Sequence, residues 1–256
     1  MTAAESRKTI RVGVFTLPDT QLLDVACVDV LASMSYEYFT LIGDFIPPSL
    51  LALAPSMQIF YISTIQPGSF IQLTAQVKLP CTHHFSDPAV APGQLDVILL
   101  PGPDPAMDFN AIKNATGWLA AHAARPETDI LSICTGILVA GEAGILKGKK
   151  ACGPRGVQGE LAKKFKETEW VGEELRWVRD GNIWSSGGVT NGNDLVGAYA
   201  RLSGRIPGPV AEAALSLTET GDRPQRYETG KMVWTLGIVW QMLKATFMGL
   251  GKKTTA

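Results

Sequence analysis

One cysteine stands where chemistry is easiest to build. The run Asp129-Ile-Leu-Ser132-Ile133-Cys134-Thr135-Gly136-Ile-Leu-Val-Ala reads as an apolar strand that turns at Cys134 directly into a helix. A thiol held at such a turn faces the unpaired N–H groups of the helix start, which favour its thiolate. Ser-Ile-Cys-Thr-Gly is close to the G-x-nucleophile-x-G elbow, with Ser132 in place of the first glycine. The alternative reading of the same residues is a buried core cysteine, a common fate for this side chain. Asp24 is a further titratable candidate. On its own it reads as an acid in the first turn of a helix, where it complements the dipole.

The other reactive residues narrow the chemistry. No histidine follows Cys134, so a downstream Cys-His pair is excluded; His83, His84 and His122 are expected at the surface. Four scattered cysteines and three histidines show no zinc-type spacing, and no metal site is expected. Cys152 reads as a packing residue. Arg155 is read as a positive charge near the site, favouring a thiolate or an anionic substrate.

The elements that would position these groups alternate between apolar strands and helices. Strands are expected at Arg11–Phe15, Gln58–Thr64, Asp96–Leu100 and the run into Cys134. Helix-like spacing follows Asp19 and recurs around Trp118–His122. The prolines at 47, 48 and 55 mark an inserted loop with at most a short helix over Gly43–Met57. Asp180-Gly181 signals a hairpin, and Asn193 or Asp194 is placed to cap a helix over Leu195–Ser203. This alternation argues for an α/β fold with a mostly parallel sheet covered on both faces. The expected domain spans 8–206, with a helical extension over 207–256 that packs on the domain or on a dimer partner.

Composition sets the outer bounds. The 256 residues are 46% hydrophobic and carry a formal net charge of −1, without a long basic run. Nucleic acid is an unexpected partner on these grounds, and a DNA-binding appendage after Pro207 finds no support. The uncharged stretch Met232–Leu243, flanked by Lys231 and Lys244, is 12 residues long and too short to span a bilayer. It is read as covering an apolar surface of its own subunit or a partner, not as a membrane contact. The N-terminus lacks the apolar core of a signal peptide, and the protein is expected to be soluble and cytoplasmic.

Several motifs fall in order: Asp96-Val-Ile-Leu-Leu-Pro-Gly102, the elbow at Cys134, Ala143-Gly-Ile-Leu-Lys-Gly148-Lys-Lys-Ala151, and Asp180-Gly-Asn through Gly187-Gly188-Val-Thr190 to Gly192-Asn-Asp194. Together they resemble the ThiJ/PfpI superfamily, and within it the isonitrile-hydratase-like branch, over about Ile10 to Ser203. The resemblance implies a flavodoxin-like sandwich, a homodimer, a small-molecule substrate, and no metal or organic cofactor. It places Asp24 beside the cysteine as a proton relay, with Thr135 supplying a backbone N–H. The turn at Gly102-Pro103 would contact substrate.

The chain departs from that pattern twice. Relatives carry Pro-Gly-Gly where this sequence has Pro101-Gly102-Pro103, so one oxyanion N–H donor is missing. Relatives with Thr-Thr-His after the strand contrast with Cys152-Gly153-Pro154-Arg155, where Pro154 stands in the histidine position. The expected function is therefore isonitrile-hydratase-like hydration through a covalent thioimidate on Cys134. Glyoxalase or deglycase activity on α-oxoaldehydes is one alternative, and a non-catalytic redox or stress-sensing dimer using the same cysteine is another.

Overall fold

The computed structural model describes residues 7–250. Strand β1 (Thr9–Phe15) leads into helices α1 (Leu22–Ala32), α2 (Tyr36–Ile42) and α3 (Pro48–Leu53), then β2 (Ser56–Ser63). Short strands β3 (Phe70–Gln72), β4 (Lys78–Pro80) and β5 (His83–His84) precede β6 (Val97–Leu100), α4 (Lys113–Ala123), β7 (Asp129–Ile133) and α5 (Gly136–Glu142). Next come β8 (Lys150–Ala151), α6 (Gln158–Lys164), β9 (Glu169–Trp170), β10 (Trp177–Asp180) and β11 (Ile183–Ser186). Helices α7 (Asn191–Leu202), α8 (Gly208–Leu217) and α9 (Lys231–Leu250) follow.

The central sheet has seven strands in the order β10-β11-β7-β6-β1-β2-β5, parallel throughout except for the β10–β11 hairpin. Its middle strands are apolar on both sides because both sides are covered. Val12, Val14, Leu99, Leu131 and Ile133 pack with α1, α7 and α8 on one face. Ile98, Leu100, Ile130 and Ile183 pack with α4, α5 and α6 on the other. The alternation along each strand sorts successive side chains into the two cores.

Local differences from the sequence reading have physical causes. The hairpin turns on Gly181-Asn182, with Asp180 paired to Ile183, because Gly181 supplies the positive φ of 65°. Helix α7 begins at Asn191, before the expected start at Leu195, and neither Asn193 nor Asp194 caps it. Asp194 instead bonds Arg223 at 2.6 Å. His122 is fully buried, not exposed: its Nε2 lies 3.1 Å from the Val90 carbonyl, and its ring meets Trp118 edge-on. Helix α8, within the segment read as an extension, buries Val210, Ala211, Ala214 and Leu215 in the first core. Beyond it, α9 touches the rest of the chain through its first turn, and its described side chains other than half-buried Trp234 are exposed.

Candidate active site

The C-terminal ends of β1, β6, β7 and β11 converge on one place, and Cys134 stands at its centre. In open parallel sheets this edge is where ligands bind, since strand ends and helix starts leave backbone groups free there. Cys134 leaves β7 with φ 55°, in the left-handed region that disfavours side chains with a Cβ. That twist lets its N–H donate to the Gly187 carbonyl at 3.2 Å while α5 starts immediately behind it. Val189, opposite, also has positive φ at 41°, a conformation costly for a β-branched residue. The backbone N–H groups of Val189 and Thr135 are both directed at the Cys134 sulfur.

Asp24 comes to this point from the first turn of α1 and is fully buried. Its Oδ2 accepts the Gly102 N–H at 3.1 Å, and the Gly102 carbonyl accepts the Gln21 N–H at 3.0 Å, so the strand-end turn and the helix start grip each other. Its Oδ1 has no hydrogen-bond partner, and the Cys134 thiol is close enough to interact with the carboxyl. Burial raises the Asp24 pKa to about 6, against the opposing pull of Gly102 and Cys134. Burial, and then the negative charge of Asp24, push the Cys134 thiol up to about 11. The sequence reading of a thiolate stabilised at a helix start is therefore corrected. The N–H groups of Val189 and Thr135 do lower the thiol pKa, but desolvation and the neighbouring carboxylate outweigh them. Both shifts run upward, which favours the protonated thiol in the resting site.

Thr135 and the Gly102-Pro103 turn close against each other at the edge of the site. The Thr135 hydroxyl donates to the Pro103 carbonyl at 2.7 Å, which fixes the turn against the elbow. Gly102 tolerates no side chain, because a Cβ there would lie 2.5 Å from Asp24 Oδ2 and 2.9 Å from Thr135 N. Arg155 is turned to the C-terminal segment. Its guanidinium lies 4.2 Å from the Tyr227 ring centre and 5.5 Å from that of Trp234, and it donates to the Thr229 carbonyl. Cys152 is fully buried, with its thiol directed at the Leu175 carbonyl 3.5 Å away.

Beside the elbow lies an apolar cleft of about 310 Å³, lined by residues including Pro105, Thr135, Ile137, Leu138, Pro154 and Leu161. Pro154, which the resemblance sets in a histidine position, contributes an apolar wall here. Sequence reasoning had no hold on this cleft, since its lining comes from three separate segments. The pairing of Gly187 and Val189 with Cys134 was missed as well; the Gly187-Gly188 doublet was its only visible trace.

An open parallel α/β sandwich with a strained cysteine at a strand-to-helix elbow and a buried acid beside it defines a class of flavodoxin-like proteins. The family model described as DJ-1/PfpI matches residues 35–201, and the chain belongs to this family. It is 29% identical over 161 residues to an isonitrile hydratase of Pseudomonas putida, an alignment covering 58% of this chain and 60% of that protein. A ThiJ/PfpI family protein from Pseudomonas syringae superposes with a TM-score of 0.65 at 20% identity, covering 94% of this chain and 88% of the other. DJ-1beta of Drosophila melanogaster gives a TM-score of 0.58 at 15% identity, covering 82% of this chain and 98% of the other. These two structures bear on the fold alone.

Proposed function

We propose that the protein is a cofactor-independent enzyme that hydrates an apolar isonitrile to an N-substituted formamide, with Cys134 as nucleophile and Asp24 as proton relay. The observation that carries this reading is the buried Asp24 carboxyl, half unsatisfied, in interaction range of the Cys134 thiol. A carboxylate whose pKa is raised to about 6 is a competent base near neutrality and a competent acid once loaded. In the first step the S–H bond breaks as the S–C bond forms. Asp24 takes the thiol proton and delivers it to the isonitrile carbon, giving the thioimidate R–N=CH–S–Cys134. Water then adds to that carbon, and its proton passes through Asp24 to nitrogen. Loss of the hydroxyl proton to Asp24 expels the sulfur, which is reprotonated, and R–NH–CHO leaves.

Each step moves a proton through Asp24, and none places a full alkoxide on a carbonyl oxygen. The N–H that Pro103 lacks is therefore less needed than in acyl transfer, where one such donor contributes roughly 100- to 1,000-fold in rate. The neighbouring cleft is compatible with this reading: Thr135, Ile137, Leu138 and Pro154 line it together with Glu160 and Lys164, and Pro154 offers no imidazole of the kind a Cys-Glu-His glyoxalase would need. The test is turnover of an alkyl isonitrile followed by NMR of the formamide product. Cys134→Ala is expected to abolish it, and full activity in that variant would refute the nucleophile.

A further inference from the structure

Among the described residues nothing covers the apolar surface of helix α9 beyond its first turn. Met232, Leu236, Val239, Leu243 and Phe247 recur every three or four residues along one stripe, with Trp240 beside them, and are between 43% and 74% exposed. Val233, Ile238, Met242 and Met248 are exposed off that line as well, so the helix is apolar around most of its circumference, with Thr235, Gln241, Lys244 and Thr246 as polar interruptions. The helix is anchored at its start only: Trp234 covers Gly156, and Lys231 pairs with Glu173 at 2.9 Å. From there it stands away from the domain, about 30 Å long at 1.5 Å per residue.

We propose that α9 is a docking helix that adsorbs to an anionic phospholipid surface. The charge pattern selects this occupant. Glu228 is the last acidic residue of the sequence, and the stretch after it carries Lys231, Lys244, Lys252 and Lys253. The chain as a whole has a net charge of −1, so the part up to Glu228 is net acidic while the stretch after it carries lysines and no acid. A second copy of α9 would bring further lysines and no acid of its own to pair them. An anionic bilayer neutralises the lysines and takes the apolar stripe, while Lys244 reaches the headgroups along its aliphatic stem. Among the described residues no single helix is long and apolar enough to cross a membrane, which agrees with adsorption rather than insertion across it. Adsorption departs from the sequence expectation that this stretch covers an apolar surface of the subunit or a partner.

The test is flotation of the full chain with vesicles of equimolar phosphatidylcholine and phosphatidylserine, against vesicles of phosphatidylcholine alone. The parent is expected to float with the anionic vesicles and much less with the neutral ones, with a blue shift of tryptophan emission. The double variant Leu236→Glu, Leu243→Glu removes two exposed stripe residues and is expected to weaken partitioning by about 100-fold or more. Lys252→Gln and Lys253→Gln should each weaken it about fivefold on the anionic vesicles only. An unchanged urea midpoint keeps these results apart from misfolding. No flotation with either vesicle, equal flotation with both, or parent-like flotation of the double variant overturns the proposal. So does a concentration-dependent dimer that the double variant dissolves while vesicles take up nothing, which would give the stripe to a second copy.

Discussion

Asp24 is where function and stability pull against each other. Its carboxyl is fully buried, and its Oδ1 lacks a hydrogen bond, so the folded protein holds the proton more tightly than the unfolded chain does. Its pKa rises from 3.8 to about 6. With a raised folded value, the stabilising contribution is fully present below pH 3.8 and is lost as pH climbs through about 6. Above that range the ionised carboxylate costs about 3 kcal/mol at most. Asp24→Asn is therefore expected to raise stability by about 1–3 kcal/mol above neutrality and to leave it nearly unchanged in acid, as read by urea unfolding at the two conditions. The same variant should lose hydration activity, because an amide relays no proton. In the parent, kcat/KM should rise through an apparent pKa near 6, with the thiol still protonated far above that. A flat acid limb would remove Asp24 from the mechanism. Why a raised thiol pKa was not legible in the sequence is equally physical: the helix start at Gly136 can be read from residue types, but the desolvation that outweighs it cannot. The role proposed for Asp24 was suggested in the sequence only through resemblance, since an acid in a first helical turn has an ordinary explanation.

At the scale of elements, the site depends on how closely α5 approaches β6. Gly136 sits with its Cα against the Leu100 carbonyl, and an added Cβ would fall inside the contact distance of that oxygen and 3.0 Å from the Leu100 carbonyl carbon. The obstacle is backbone, so it cannot swing away as a side chain end would. Gly136→Ala must push α5 off the strand and carry Cys134 and Thr135 with it. A destabilisation of about 1–3 kcal/mol is expected, with a fall in kcat larger than any loss of folded protein explains. Urea unfolding beside turnover per folded molecule separates the two, and a variant with parent-like kcat would show that the elbow does not need this contact. The strand-turn-helix around Cys134 was legible because Ser132 and Gly136 are small and the flanking runs apolar. The buried position of His122 was not, because the helix carrying it is rich in alanine and its exposed and covered sides look alike in sequence. Val189 gave no signal at all, for nothing in a valine announces a positive φ.

Across the whole molecule the two ends of the sheet have separate tasks. Chemistry is gathered at the C-terminal strand ends, whereas the N-terminal ends are tied by a polar knot. Arg205, after α7, donates from Nε to Asp129 Oδ2 at 2.6 Å, from Nη1 to Asp96 Oδ1 at 3.3 Å, and from Nη2 to the Glu127 carbonyl. Tyr199 donates to Asp129 Oδ2 at 3.0 Å, and Asp96 Oδ2 accepts the Arg11 N–H at 2.8 Å. One guanidinium thus links α7 to the starts of β6 and β7, and through Asp96 to β1. No sequence motif disclosed it, because Arg205 lies 76 and 109 residues from the two carboxylates it bonds. The side chains of Arg205 and Asp129 are 18% and 12% exposed, so removing the cation strands a largely buried carboxylate. Arg205→Met, which keeps the aliphatic stem, is expected to destabilise the fold by about 3 kcal/mol. Activity per folded molecule should be unchanged at low temperature, because none of these groups lies at the Cys134 end of the strands. A matched fall in kcat before the unfolding transition would show instead that the two ends of the sheet are mechanically coupled, and that the knot helps hold Asp24 and Cys134 in register.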